Sequence, residues 1–232
     1  MTLHPIEAGN FKLDGGAMFG VVPKSLWQKT NPSDKNNMID MASRCLLVED
    51  GKRLTLIDTG MGTKQTEKFF SYYYRWGEHE LVSSINNAGF SCEEITDVVF
   101  THLHFDHCGG GTVWDNNKLF NRPLFKNAKY WSNKNHWSWA ESPNPREKAS
   151  FLKENLSPIK ESGAIEFVSQ HPAGFEHKKE INMDILFVNG HTEKQMIPRL
   201  TYQDKSLVFA ADLLPTAGHV PVPYIMGYDV KP

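Results

Sequence analysis

The sequence predicts a mixed α/β domain whose sheets are largely antiparallel. Short apolar runs of strand type alternate with segments of helix type along the chain. Two pairs of these runs are joined by turn residues, Asp50-Gly51 and Asp204-Lys205, in the manner of hairpins. Hairpins impose antiparallel neighbours, which argues against an all-parallel doubly wound sheet. The 232 residues are 40% hydrophobic and 22% charged, which fits one globular domain with a substantial core and excludes disorder and fibrous repeats.

The elements follow in order. Met18 to Pro23 is a short apolar stretch that reads as a strand or as a loop with one apolar face. Arg44 to Val48 and Leu54 to Ile57 form the first hairpin, and Asp58-Thr59-Gly60 closes it with a turn signal. Thr63 to Tyr74 and Glu78 to Ala88 read as helices, with Gly77 and Gly89 as punctuation. Ile95 to Phe100 has the Val/Ile content of a buried strand. Tyr130 to Trp139 crowds five ring-bearing side chains, with Ser132 placed to cap a helix that ends before Pro143. Those rings serve helix packing or form the aromatic wall of a pocket. Ile165 to Ser169 and Ile185 to Val188 read as strands, and Leu200 to Tyr202 with Leu207 to Ala210 makes the last hairpin.

Charge and composition narrow the function classes. Lys+Arg number 25 against 27 Asp+Glu, so the net of -2 gives no basic footprint for nucleic acid and no polybasic patch for anionic lipid. The longest strongly apolar run, Leu207 to Ala211, is far short of a membrane span, and Met1 to Asn10 lacks an apolar export segment. Cys45, Cys92 and Cys108 are odd in number and have no CxxC spacing, so a disulfide scaffold is not expected and a reducing cytoplasm is.

The chemistry concentrates in His102-x-His104-x-Asp106-His107, delivered by a strand and followed by Gly109-Gly110-Gly111. Imidazole nitrogen and carboxylate oxygen are zinc-type donors. Alternation lets His102 and His104 point to one side while Asp106 and His107 reach a second position, so one loop can serve two metals. His191 follows the strand Ile185 to Val188, and Asp212 follows the strand Leu207 to Phe209. Strand ends are where a sheet fold gathers functional groups, so these two complete a plausible six-donor set.

The motifs Asp58-Thr59-Gly60, His102-x-His104-x-Asp106-His107, Gly190-His191-Thr192 and Asp212 resemble those of the metallo-β-lactamase-fold hydrolase superfamily. The stretch Gly16 to Pro23 is similar to the branch that includes quorum-quenching lactonases. The resemblance implies a four-layer αββα sandwich with mixed, largely antiparallel sheets, as a single domain over residues 1–232. It implies that His102, His104 and His191 hold one metal, that Asp106 and His107 hold a second, and that Asp212 bridges them. Asp58 would brace the ligand loop by hydrogen bonds. Two Zn²⁺ per chain are expected, with iron or manganese as alternatives on the same donors. Relatives place one more histidine well beyond the bridging aspartate. Here 20 residues follow Asp212 and hold only His219, so a missing C-terminal segment is expected to carry that ligand.

The implied activity is metal-dependent hydrolysis of an ester or lactone of a small molecule through a metal-bridging hydroxide. Asp106 would orient the nucleophile and pass a proton to the leaving group. Met18, Phe19, His219 and the Trp137 region are candidates for the pocket wall. The same fold also supports a thioester hydrolase of the glyoxalase II type, an iron-dependent sulfur dioxygenase, or a metal-binding protein without catalysis. The expected partner is a small-molecule substrate, with no nucleic acid and no membrane; the sequence sets no oligomeric state.

Overall fold

The computed structural model describes residues 1–78, 80–115 and 117–231. In chain order the elements are β1 (Thr2–Asp14), α1 (Gly15–Phe19), α2 (Lys24–Trp27), β2 (Met38–Asp50), β3 (Arg53–Ile57), α3 (Glu67–Ser71), α4 (Leu81–Asn87), β4 (Asp97–Val99), α5 (Phe105–Cys108), β5 (Thr112–Trp114), β6 (Asn121–Pro123), β7 (Lys129–Ser132), α6 (Lys134–Glu141), α7 (Lys153–Glu161), β8 (Ile165–Phe167), β9 (Glu176–Lys178), β10 (Met183–Val188), β11 (Gln195–Tyr202) and β12 (Lys205–Val208). A six-stranded sheet runs β1-β2-β3-β4-β7-β8, a four-stranded sheet runs β12-β11-β10-β9, and β5 pairs with β6.

The side-chain alternation of β2 explains the layering. Cys45 and Leu47 enter one core with Leu56, Val98, Phe100 and Tyr130, against Leu81 and Ile85 of α4, Trp137 of α6 and Ile159 of α7. Leu46 and Val48 enter a second core with Ile57, Val99 and Trp131, against Met183, Ile185, Met196 and Leu200 of the smaller sheet. The larger sheet is therefore covered by helices on one face and by the smaller sheet on the other, as in the sandwich read from the sequence. A strand covered on both faces is apolar at successive positions, which is why Val98-Val99 shows no polar alternation.

Both predicted hairpins are present. Asp50 pairs with Arg53 across the first turn, and Tyr202 pairs with Lys205 across the second. The hairpin strands are antiparallel, whereas β3–β4, β4–β7 and β7–β8 are parallel, because helical connections separate those strands in sequence.

Some elements differ from their sequence reading. The stretch from Met18 is not a strand: Gly15–Phe19 is a short helix, because the Asp14 side chain accepts from Ala17 N at 2.8 Å and caps it. The helix read from Thr63 contracts to Glu67–Ser71, and the one read from Glu78 begins at Leu81, with His79 outside the described residues. Asn133, not Ser132, caps α6 by accepting from His136 N, because Tyr130 to Ser132 are held in β7. Trp137 is core packing rather than a pocket wall. Among the described residues, no helix is long and apolar enough to cross a membrane.

The turn after β3 sits directly on the loop after β4. Thr59 N donates to His107 O at 2.7 Å, and Gly110 N donates to Gly60 O at 2.9 Å. A Cβ on Gly110 would lie 2.1 Å from Thr59 O, so no larger residue fits without moving backbone. Gly110→Ala is expected to lower the unfolding free energy by roughly 1–3 kcal/mol through overpacking. Urea denaturation measures it, and an unchanged midpoint would contradict this close approach.

Candidate metal centre

Every donor-bearing segment of the cluster leaves the carboxyl end of a strand. Asp58 follows β3, His102 to His107 follow β4, His191 follows β10 and Asp212 follows β12. Met196 N donates to Thr101 O at 2.7 Å and fastens the two sheets together beside the site.

The six donors named from sequence lie in one place. His191 Nε2 is 3.0 Å from His104 Nδ1 and 3.2 Å from Asp212 Oδ2. His102 Nε2 is 3.9 Å from the same Asp212 oxygen. The other oxygen, Oδ1, lies 3.2 Å from His107 Nε2, and Asp106 Oδ2 lies 3.7 Å from that nitrogen. Asp212 thus shares its two oxygens between two donor groups. His102, His104 and His191 make one, and His102, His107 and Asp212 make another, with the donor atoms of each within 4.8 Å of one another.

Hydrogen bonds behind the imidazoles decide which nitrogen faces the centre. Asp58 accepts from Thr101 N and Thr101 Oγ1, both at 2.8 Å, and from His107 Nδ1 at 2.8 Å. Since the Thr101 hydroxyl donates to Asp58, it accepts from His102 Nδ1 at 3.1 Å. His191 Nδ1 faces Asp229 Oδ1 at 3.2 Å. His102 therefore turns a bare Nε2 lone pair inward, toward the Asp212 carboxylate, and the Nε2 of His191 faces the same oxygen.

Acceptors facing acceptors require positive charge between them. Burial pushes His102 well below the ordinary imidazole range, reinforced by the neighbouring His107, His104 and His191. Burial likewise brings His104 down to about 4. For His107 and His191 burial acts downward too, but the nearby carboxylates, Asp212 foremost, outweigh it and raise both. His102 Nε2 is buried with no hydrogen-bond partner among the described residues. The donor set, the buried imidazoles of His102 and His104 that burial keeps neutral, and this orphaned nitrogen fit a metal ion of the zinc type.

The centre opens into a cleft of about 570 Å³. Phe11, Leu13, Met18, Met41, Phe105 and Met226 supply much of its apolar wall, and Asp58, His104, Asp106, His107, His191 and Asp212 supply the polar floor. Met18 is where the sequence reading put it. Phe19 and His219 are not among the lining residues. His219 is 3% exposed, stacks on Phe19 at 4.3 Å, and its Nε2 donates to Met18 O at 2.8 Å, which is a satisfied packing role. A larger hollow of about 690 Å³, bordered by Cys92, Arg122 and Lys126, contains none of the clustered donors.

Three residues at the site escaped the sequence reading. Glu147 lies behind His104, Asp229 behind His191, and His136 between two donor loops. Leu103 N donates to His136 Nε2 at 2.9 Å, so the ring proton is on Nδ1, which donates to Glu193 O at 2.5 Å. His136 thereby ties the 102–107 loop to the segment after His191. No local pattern marks these residues; only their long-range contacts do.

Comparison with known proteins agrees with this geometry. The family model described as the metallo-beta-lactamase superfamily matches residues 39–231. An N-acyl homoserine lactonase of Bacillus cereus is 27% identical over 105 residues, which is 40% of this chain and 42% of that protein. A second N-acyl homoserine lactonase, from a Bacillus species, is 28% identical over 92 residues, 35% of this chain and 37% of that protein. The aligned stretch thus spans less than half the length of either. A probable metal-dependent hydrolase from Staphylococcus aureus superposes with a TM-score of 0.86 at 26% identity, over 99% of this chain and 79% of that one. A dizinc quorum-quenching lactonase in complex with a product superposes with a TM-score of 0.70 at 22% identity, over 99% and 78%.

The His136 contacts carry a pH dependence. Burial lowers its pKa to about 4, whereas in the unfolded chain it titrates near 6.5. The unfolded state then binds the extra proton between those values, so stability present above pH 6.5 is lost as pH falls toward 4. The expected contribution is a decline of about 1 kcal/mol per pH unit within that window. His136→Gln should remove that part of the slope in urea titrations run from pH 7 to pH 4; an identical slope in the variant would show that His136 is not the group responsible.

Proposed function

The chain belongs to the metallo-beta-lactamase superfamily, and from that premise we propose that it is a metal-dependent hydrolase of small esters, with lactones the favoured class. The observation that carries the reading is the convergence of His102, His104, His191 and Asp212, the last three at the floor of an apolar-walled cleft and His102 buried beneath it. The lactonase relatives support the choice of lactones.

His102, His104 and His191 would hold one ion, Asp106 and His107 a second, and Asp212 would serve both through its two oxygens. Zinc is the proposed metal, because buried neutral imidazoles with a shared carboxylate suit it. When bound, such ions lower the pKa of water to give a nucleophile near neutral pH and polarise a carbonyl. The remaining work falls to the chain itself. Asp58 and Thr101 hold His102 and His107 in orientation. Asp106, beside His107 at the cleft, would pass a proton to a leaving alkoxide. Phe11, Met18, Met41 and Phe105 exclude water from the reacting centre and offer an apolar surface to the rest of the substrate.

The test is hydrolysis of a panel of lactones, esters and thioesters, with metal content measured on the same samples. Chelation should abolish turnover and added Zn²⁺ should restore it. His102→Ala and His104→Ala should lose metal and reduce kcat/KM by more than roughly 100-fold, since losing a ligand costs more than losing the group that orients one. Asp212→Ala should reduce the metal count. Turnover that survives chelation, or two metals at full occupancy in Asp212→Ala, would overturn the scheme. Faster cleavage of thioesters than of lactones would move the substrate class.

A further inference from the structure

The side chain of Glu147 is 3% exposed. Its Oε2 accepts from Trp139 Nε1 and from Asn144 Nδ2, each at 2.9 Å. The amide of Asn144 cannot turn round, because its Oδ1 already accepts from Arg146 N at 2.8 Å and Glu147 N at 3.0 Å. Two fixed donors therefore point at one Glu147 oxygen. The other, Oε1, is buried and has no further hydrogen-bond partner among the described residues. It lies 3.4 Å from His104 Nε2, which is also buried and without a hydrogen-bond partner among the described residues. The Thr192 hydroxyl is a further polar group beside this carboxylate.

On the functional reading above, we propose that Glu147 is the positioning residue that selects the His104 tautomer able to bind metal. A carboxylate can only accept, so the His104 proton is held on Nε2. Nδ1, which faces His191 Nε2 at 3.0 Å, is then left with its lone pair directed at the cluster. His104 is thereby set to bind through Nδ1, while His102 and His191 present Nε2.

The arrangement makes an isosteric change more harmful than its size suggests. In Glu147→Gln the amide oxygen must take the place between Trp139 and Asn144, because an amide N–H there would face two donors. The amide nitrogen then points at His104 Nε2 and donates to it. The His104 proton is driven to Nδ1, where it blocks metal binding. The carboxylate thus matters as an acceptor, not as a filler of space.

Zinc affinity, read by competition with a chromophoric chelator, and the His104 tautomer, read by ¹⁵N NMR of histidine-labelled full-length protein before and after zinc addition, test this together. Wild type should carry the Nε2–H form. Glu147→Gln should carry the Nδ1–H form and lose zinc affinity by roughly 10–100-fold, at least as much as Glu147→Ala. Its thermal midpoint should stay close to that of Glu147→Ala. Wild-type affinity in Glu147→Gln, or an unchanged tautomer, would overturn the proposal. If Glu147→Gln does not fold, Glu147→Ala decides: a mixture of tautomers supports the selection, and a pure Nε2–H form refutes it. A wild-type chain that takes up no zinc would defeat the functional reading instead, while the tautomer signals would still judge Glu147.

Discussion

The carboxylate of Asp212, at the floor of the cleft, faces the Nε2 atoms of His102 and His191 at 3.9 and 3.2 Å. An anion surrounded by lone pairs is repulsive unless positive charge lies among them. That demand shapes the surrounding structure. Each ring is turned by an acceptor behind it, and each acceptor is held by other groups. Asp58 takes three hydrogen bonds, and Thr101 relays one of them to His102. Asp229 faces His191 while its second oxygen accepts from Met226 N at 3.1 Å.

Such crowding is unfavourable on its own, and the packed sheets around it supply the compensation. The parallel strands β3, β4 and β7 are apolar on both faces and end at one edge. The loops that leave that edge carry Asp58, the 102–107 segment and the cap of α6. Rigid strand ends fix where the loops start, and the glycines at 109 and 110 let the ligand loop press against the turn at Thr59. Buried strand residues thus hold the groups of the site in place.

The cleft divides its work by polarity. One side is sulfur-rich and aromatic, with Met18, Met41, Met226, Phe11 and Phe105, and the floor is imidazole and carboxylate. Methionine adapts its shape to what it packs against, so this wall suits a flexible apolar group better than a rigid planar one. The wall is assembled from β1, α1, β2, the segment before residue 228 and Phe105 of the ligand loop itself.

The sequence by itself determined the types and local spacing of the donors, the two hairpins and the buried strand that leads into His102. These are short-range features: alternation, turn chemistry and four ligand-type residues within six positions. The same reading placed Phe19 and His219 at the pocket, and it gave Met18 to Pro23 as a strand or a loop with one apolar face. Tertiary structure decided otherwise. Phe19 and His219 satisfy each other in a separate small core, and the cap supplied by Asp14 makes a helix. Only the folded chain brings Glu147 to His104, 43 residues away, Asp229 to His191, 38 away, and His136 to Leu103, 33 away. A carboxylate carries no mark in its own neighbourhood of the ring it will orient. That assignment arises when distant segments are packed into one dry site, where each buried polar atom must find its complement.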